Sequence, residues 1–332
     1  MEQSPKALGG TDIDVSLNGP VGSVFLDVRL WGKGPWCYNT NKGKRHFKGG
    51  DRMKETLQLQ DGERLVYLPR VTYAQLIDPS GKNTRILELG MIKPRYNTGP
   101  RPLLIWLAGG GWEKQDRHMW IPMLTYYAER GFVVASVEYR LSHEATFPAP
   151  LEDVKTAIRF LRTHAEVFGI DPRKIAIMGE SAGAHLAAMA ATTHAHHVFE
   201  KGAWADQDDS VQAVVDWYGP NDLALQNPHA HNAGTAEAKF LGAAAADCPD
   251  QVRAANPITY ITEQTPPFLI LHGDADETVR IAQSELLYEA LQKAGVPVDF
   301  YTLAGTGHTG LKFMNPKVYA IILAFLQKHL GV

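Results

Sequence analysis

The sequence is poor in several features that would narrow its class. It holds two cysteines, Cys37 and Cys248, among 332 residues. Two are too few for a disulfide framework, and they are not expected to pair. Charge is close to balanced: 33 Lys and Arg stand against 36 Asp and Glu, a formal net charge of -3. Without a basic excess, neither nucleic acid nor a membrane surface is expected as a partner. No apolar run is long enough to span a bilayer. The opening Met1-Glu2-Gln3-Ser4-Pro5-Lys6 lacks the apolar core of a secretory leader, so the sequence reads as cytoplasmic. A secreted chain whose leader had been removed would read the same. Internal repeats and low-complexity tracts are missing too. What remains, at 45% apolar and 21% charged residues, is the composition of a globular protein with a sizeable core.

Beyond about residue 60, short apolar runs alternate with amphipathic stretches. Strands are predicted over 71–77, 84–92, 103–107, 133–138, 175–178, 213–217, 268–271 and 298–303. Helices are predicted over 119–130, 151–168, 182–193, 282–294 and 317–330. Pro150 and Asn315-Pro316 suit helix starts, and Gly331 suits the last helix end. This alternation predicts an α/β fold: a mostly parallel, eight-stranded sheet with helices on both faces. Residues 1–60 differ. They are rich in Gly, Asn, Lys and Pro, with Phe25, Trp31, Trp36, Tyr38 and Phe47 interspersed and no helical period. Residues 21–30 suit a strand or hairpin arm. The segment reads as an N-terminal extension that wraps the core or a neighbouring subunit of a homo-oligomer, since bare aromatics are costly. Residues 61–332 form the main domain.

The richest local signal is Gly179-Glu180-Ser181-Ala182-Gly183, directly after the apolar run Lys174-Ile175-Ala176-Ile177-Met178. A Gly-x-Ser-x-Gly pattern alone is common. Between a strand and a helix it has a mechanical reading: a sharp turn lifts the Ser181 side chain above the sheet. The turn also aims the Ala182 amide and the positive end of the helix at a reacting carbonyl. Gly179, Ala182 and Gly183 are small enough to let it close.

A serine hydroxyl needs a base, and the base needs orienting. In a fold entered through such a turn the order is nucleophile, acid, base. The apolar run 267–271 leads into His272-Gly273-Asp274-Ala275-Asp276. Asp276 is the favoured acid, while Asp274, nearer the strand, is expected to cap the turn. The last predicted strand leads into Ala304-Gly305-Thr306-Gly307-His308, which places His308 on a glycine-flanked loop as the candidate base. Of the 13 histidines, His185 is expected to be packed locally. His194, His196 and His197 look like a metal tract but lack a carboxylate at ligand spacing, so no metal is assigned and they read as a solvated helix end.

Three glycines follow the strand over 103–107, in Ala108-Gly109-Gly110-Gly111-Trp112. Their backbone can approach a ligand with no Cβ in the way. Gly110 and Gly111 are the candidate donors that complete an oxyanion hole with Ala182; losing one such donor costs on the order of 3 kcal/mol in the barrier. Trp112 suits a wall of the acyl pocket. Trp217 and Tyr218, near the site in sequence, suit either stacking on a sugar or aromatic acyl group, or the core. Residues of about 220–264 exceed a normal crossover and emerge at the same end of the sheet, which predicts a small lid. Its small, polar composition argues against the apolar underside of a lipase lid.

Together these stretches resemble the α/β-hydrolase superfamily, and within it the esterases of the hormone-sensitive-lipase and bacterial feruloyl/acetyl esterase type. The resemblance runs from about Leu65 to the C-terminus. It rests on Leu107–Trp112, on Val137-Glu138-Tyr139-Arg140-Leu141-Ser142 with Phe147-Pro148-Ala149, on Phe168-Gly169-Ile170-Asp171-Pro172 leading into the serine turn, and on Leu271–Asp276. It implies the α/β-hydrolase fold and a cofactor-free carboxylesterase acting on small or glycan-linked acyl esters, acetyl or feruloyl. Relatives usually carry His-Gly-Gly-Gly where this chain has Ala108, which leaves open how the loop is braced. Two alternatives share the fold: a serine peptidase or amidase, which usually adds a large gating domain, and a non-catalytic binding protein, which commonly loses one of the three residues.

Overall fold

A computed structural model describes residues 23–24, 47–48, 64–77, 84–96, 99–226 and 231–332. The chain divides into two units, Met1–Asp61 and Gly62–Val332. In the first, β1 (Ser23–Val24) pairs antiparallel with β2 (Phe47–Lys48). The other expectations for residues 1–60, namely the arm, the wrapping extension and its aromatics, lie outside the described residues. So does Cys37, while Cys248 carries a free thiol.

The second unit is built on eight strands: β3 (Leu65–Ile77), β4 (Thr84–Pro94), β5 (Arg101–Leu107), β6 (Val133–Val137), β7 (Ile170–Glu180), β8 (Ala213–Trp217), β9 (Phe268–Gly273) and β10 (Val298–Leu303). They lie in the order β10-β9-β8-β7-β5-β6-β4-β3. Neighbours from β10 to β6 run parallel, and β4 is antiparallel to both β3 and β6. The predicted α/β sheet is therefore present and mostly parallel. Its central strands carry buried apolar runs, such as Leu103–Leu107 and Ile175–Met178, because both faces are covered. Alternate residues feed different layers: Leu103, Ile105 and Leu107 enter one core, Leu104 and Trp106 the other.

The helices are α1 (Ile121–Ala128), α2 (Ala149–Thr163), α3 (Ala165–Phe168), α4 (Ala182–Thr193), α5 (Leu223–Gln226), α6 (Ala236–Leu241), α7 (Pro249–Ala254), α8 (Ala282–Lys293) and α9 (Pro316–Leu330). α2, α4 and α8 pack on one face through Ile158, Leu186 and Leu287, and α1 and α9 on the other through Leu124 and Ile322. Every residue of α4 is buried. Its Ala-rich sequence lets it lie close against the sheet with α2 beside it. The predicted helix over 151–168 is two helices, broken at His164, whose ring Nδ1 lies 2.9 Å from the Phe160 carbonyl. Among the described residues no helix is long and apolar enough to cross a membrane.

Candidate active site

Ser181 sits between the last residue of β7 and the first of α4, with φ 50° and ψ -123°. A non-glycine residue at positive φ costs about 1–3 kcal/mol and persists only where its surroundings hold it. Here the Ser181 amide donates to the Trp217 carbonyl on β8 at 2.8 Å, and the His185 amide donates to the Ser181 carbonyl at 3.0 Å. The flanking glycines are required by space. A Cβ on Gly183 would stand 2.1 Å from the Leu107 carbonyl oxygen, and one on Gly179 would stand 2.5 Å from the Gly183 backbone. The turn can therefore close only with hydrogen at both positions.

The His308 Nε2 lies 3.0 Å from the Ser181 Oγ, and the His308 Nδ1 lies 2.7 Å from the Asp276 Oδ2. Loops after β9 and β10, adjacent parallel strands, bring acid and imidazole to the serine turn. The Asp276 Oδ1 accepts from the amides of Thr278 and Val279, both at 2.9 Å. Burial pushes the Asp276 pKa up, but hydrogen bonds from His272, from His308 and from the Val279 amide outweigh it and hold the carboxyl well below its usual range. An ionised carboxylate only accepts, so the His308 proton sits on Nδ1 and Nε2 is left to accept from the serine hydroxyl. His272 is a second imidazole on the same acid, its Nε2 3.3 Å from the Asp276 Oδ2 and its Nδ1 2.7 Å from the Ser284 Oγ. Asp274, expected to cap the turn, instead crosses to the next loop and accepts the Gly305 amide at 2.6 Å.

Gly110, Gly111 and Ala182 line the same cavity of about 390 Å³ as Ser181 and His308. Gly110 has φ 122°, and a Cβ there would meet the Lys114 carbonyl at 2.2 Å. The Ala108 carbonyl accepts from the Tyr139 hydroxyl at 2.7 Å, and the Trp112 carbonyl accepts from the Ser142 amide at 2.8 Å. The Tyr139–Ser142 stretch thus holds both ends of the glycine loop. Arg140 within it grips Asp153 of α2 through two bonds of 2.8 Å.

Of the three aromatics named as substrate contacts, one lines the cavity. Trp112 does so, stacked on Phe240 at 4.5 Å and only 2% exposed. Trp217 and Tyr218 do not, and substrate stacking is corrected for both. Trp217 is fully buried, edge-on to Trp106 and against Phe313, because β8 is a central strand whose last residue points into the layer of α1 and α9. Tyr218 is buried with its ring centroid 4.7 Å from that of His308, the two rings inclined at 63°, and its hydroxyl donates to the Glu180 Oε2 at 2.7 Å.

Glu180 was not singled out by the motif, which leaves its position variable. Its Oε1 accepts from the Trp120 indole at 2.7 Å and from the Gly109 amide at 3.3 Å. His185 behaves as expected, buried with its Nε2 donating to the Ala255 carbonyl at 2.7 Å. Burial lowers its pKa to about 4. His194 departs from expectation: carboxylates do reach it. Asp209 lies 2.5 Å from its Nδ1 and Asp208 3.7 Å from its Nε2. Asp209 is already compensated by the buried cations Lys155 at 3.1 Å and Arg159 at 3.6 Å, an arrangement that opposes a metal ion.

A family model described as BD-FAE matches residues 89–291. Esterase LipQ of Mycobacterium tuberculosis is 35% identical over 219 residues, 65% of this chain and 52% of LipQ. Esterase LipC of the same organism is 32% identical over 275 residues, 80% of this chain and 66% of LipC. This chain thus spans between about half and two thirds of those relatives. A solved truncated form of a carbohydrate esterase from gut microbiota superposes with a TM-score of 0.69 at 28% identity, covering 82% of this chain and 99% of that one. Fold and family agree: the chain belongs to the BD-FAE family of the α/β-hydrolase superfamily.

Proposed function

We propose that this protein is a serine carboxylic ester hydrolase that works through an acyl-enzyme. Ser181 attacks the ester carbonyl while His308 takes its proton at Nε2. Asp276 keeps His308 in the useful tautomer and stabilises the imidazolium. The amides of Gly110, Gly111 and Ala182 bind the oxyanion, aided by the N-terminus of α4. The protonated His308 gives its proton to the leaving alcohol. Water, activated by the same imidazole, then attacks the acyl-enzyme and releases the acid. Every step is proton transfer and acyl transfer among these side chains, and no cofactor is invoked. The unbroken line from Asp276 through His308 to Ser181, at 2.7 and 3.0 Å, is the observation that carries this reading.

The substrates we propose are acetyl or feruloyl esters of small alcohols or of glycans. A cavity of about 390 Å³ is at the small end of ligand sites. Its wall by the serine is Gly, Ala and Trp112, while Lys114 and Glu237 add polar groups suited to a sugar. We further propose that residues 61–332 are the catalytic domain and that 220–264 act as its lid, since Pro220, Ala236 and Glu237 all line the cavity. The test is a rate profile over p-nitrophenyl esters from acetyl to octanoyl, with acetylated xylan, methyl ferulate and matching anilides. Short acyl esters should exceed octanoyl in kcat/KM by about tenfold or more, with anilides slower still. Octanoyl turned over fastest would contradict the pocket, and anilides cleaved as fast as esters would make the protein an amidase.

A further inference from the structure

Glu180 stands inside the serine turn, and it is 6% exposed. Three donors from three separate segments converge on its carboxylate: the Gly109 amide and Trp120 indole on Oε1, the Tyr218 hydroxyl on Oε2. Two of them, Gly109 and Tyr218, lie next to the reacting atoms. Gly109 opens the loop that carries Gly110 and Gly111, and the loop packs directly on the turn: a Cβ on Gly109 would lie 2.8 Å from the Glu180 carbonyl and 3.0 Å from the Ser181 Cβ. Tyr218 packs its ring against the His308 imidazole. Trp120, just before α1, fixes the carboxylate from outside the site. The Ala108 side chain is a methyl group and adds no polar brace, so beyond the Tyr139 and Ser142 bonds at the loop's two ends the Gly109 amide is held by Glu180.

We propose that Glu180 is a positioning residue of the oxyanion loop. Resting on Ser181 as nucleophile, the inference is that the carboxylate pins the Gly109 amide and so sets the peptide planes of Gly110 and Gly111 toward the developing oxyanion. Neutral donors on both oxygens hold the carboxylate in one orientation and draw its charge away from the reacting centre. Its effect falls on the transition state, because the ground-state ester makes weaker use of the loop amides.

The experiment measures p-nitrophenyl acetate kinetics for wild type, Glu180→Ala, Glu180→Gln and Trp120→Phe. It adds inhibition by a trifluoromethyl ketone, which forms a tetrahedral adduct, against the unreactive methyl ketone. Glu180→Ala should lower kcat about tenfold or more with KM within about twofold. The trifluoromethyl ketone should weaken in step with kcat/KM while the methyl ketone does not. Glu180→Gln keeps an acceptor for Gly109 and Trp120 and should restore most of the activity. Trp120→Phe keeps bulk but removes one of the three donors that orient the carboxylate, and should cost about threefold in kcat. Unchanged kcat in folded Glu180→Ala overturns the inference, as does a kcat loss that leaves the trifluoromethyl ketone unmoved. If Glu180→Ala does not fold, unchanged kcat in Trp120→Phe overturns it. A wild-type protein inert toward the ester would overturn the esterase reading instead, a distinguishable result.

Discussion

Asp274 accepts the backbone amide of Gly305 at 2.6 Å, on the loop that carries His308. Two residues on, Asp276 holds the imidazole itself at 2.7 Å. Both acids of the Asp274-Ala275-Asp276 loop therefore act on the histidine loop, one through its backbone and one through the ring. Asp276→Asn should lower kcat about a thousandfold or more, because the Asn amide can donate to His308 Nδ1 and leave the proton on Nε2, where it can no longer accept from Ser181. Asp274→Asn still offers an acceptor to Gly305 and should cost less than about tenfold. Steady-state ester hydrolysis compares them; a larger loss at Asp274 would exchange the two roles.

Trp217 separates core packing from substrate contact. Its indole is enclosed by Trp106 and Phe313. Trp217→Ala should lower the unfolding free energy by about 3–5 kcal/mol, read by urea titration. If the residue stacked on a sugar, the same change would instead raise KM for glycan esters with little loss of stability.

His185 predicts a pH dependence of stability. Its folded pKa is lowered to about 4 by burial, against about 6.5 in the unfolded chain. Below pH 6.5 the unfolded state binds the proton and the folded state does not, so stability is full above pH 6.5 and falls as pH drops toward 4. His185→Gln removes the titration. Between pH 7.5 and 5, wild type should lose about 2 kcal/mol more than the variant, measured by denaturant unfolding at each pH. Parallel losses in the two proteins would show that His185 takes up its proton in the folded state.

Much of this was legible in the sequence where the signal is local. β8 and β10 run over their predicted residues, as does α4, because each is a short apolar or Ala-rich run between clear breaks. The convergence of Ser181, Asp276 and His308 follows from strand order, since each residue lies just beyond the end of a parallel strand. Other features could not be read. β7 begins at Ile170 rather than 175, because Ile170 pairs with Arg101 of β5 ahead of a break in register that residues 171–174 span. The Glu180 contacts join segments 38 to 71 residues apart, a separation no period records. Trp217 was ambiguous for a similar reason. A strand's last residue faces either cavity or core according to which helices cover it, and α9 arrives from about 100 residues downstream.

The central claim is that Ser181 is a nucleophile armed by His308. The direct measurement is intact-protein mass spectrometry after treatment with a fluorophosphonate, followed by peptide mapping. A single adduct is predicted, on Ser181, at a rate that falls about a thousandfold or more in His308→Ala and vanishes in Ser181→Ala. Wild-type protein that stays unlabelled, or labelling that persists in Ser181→Ala, would contradict it.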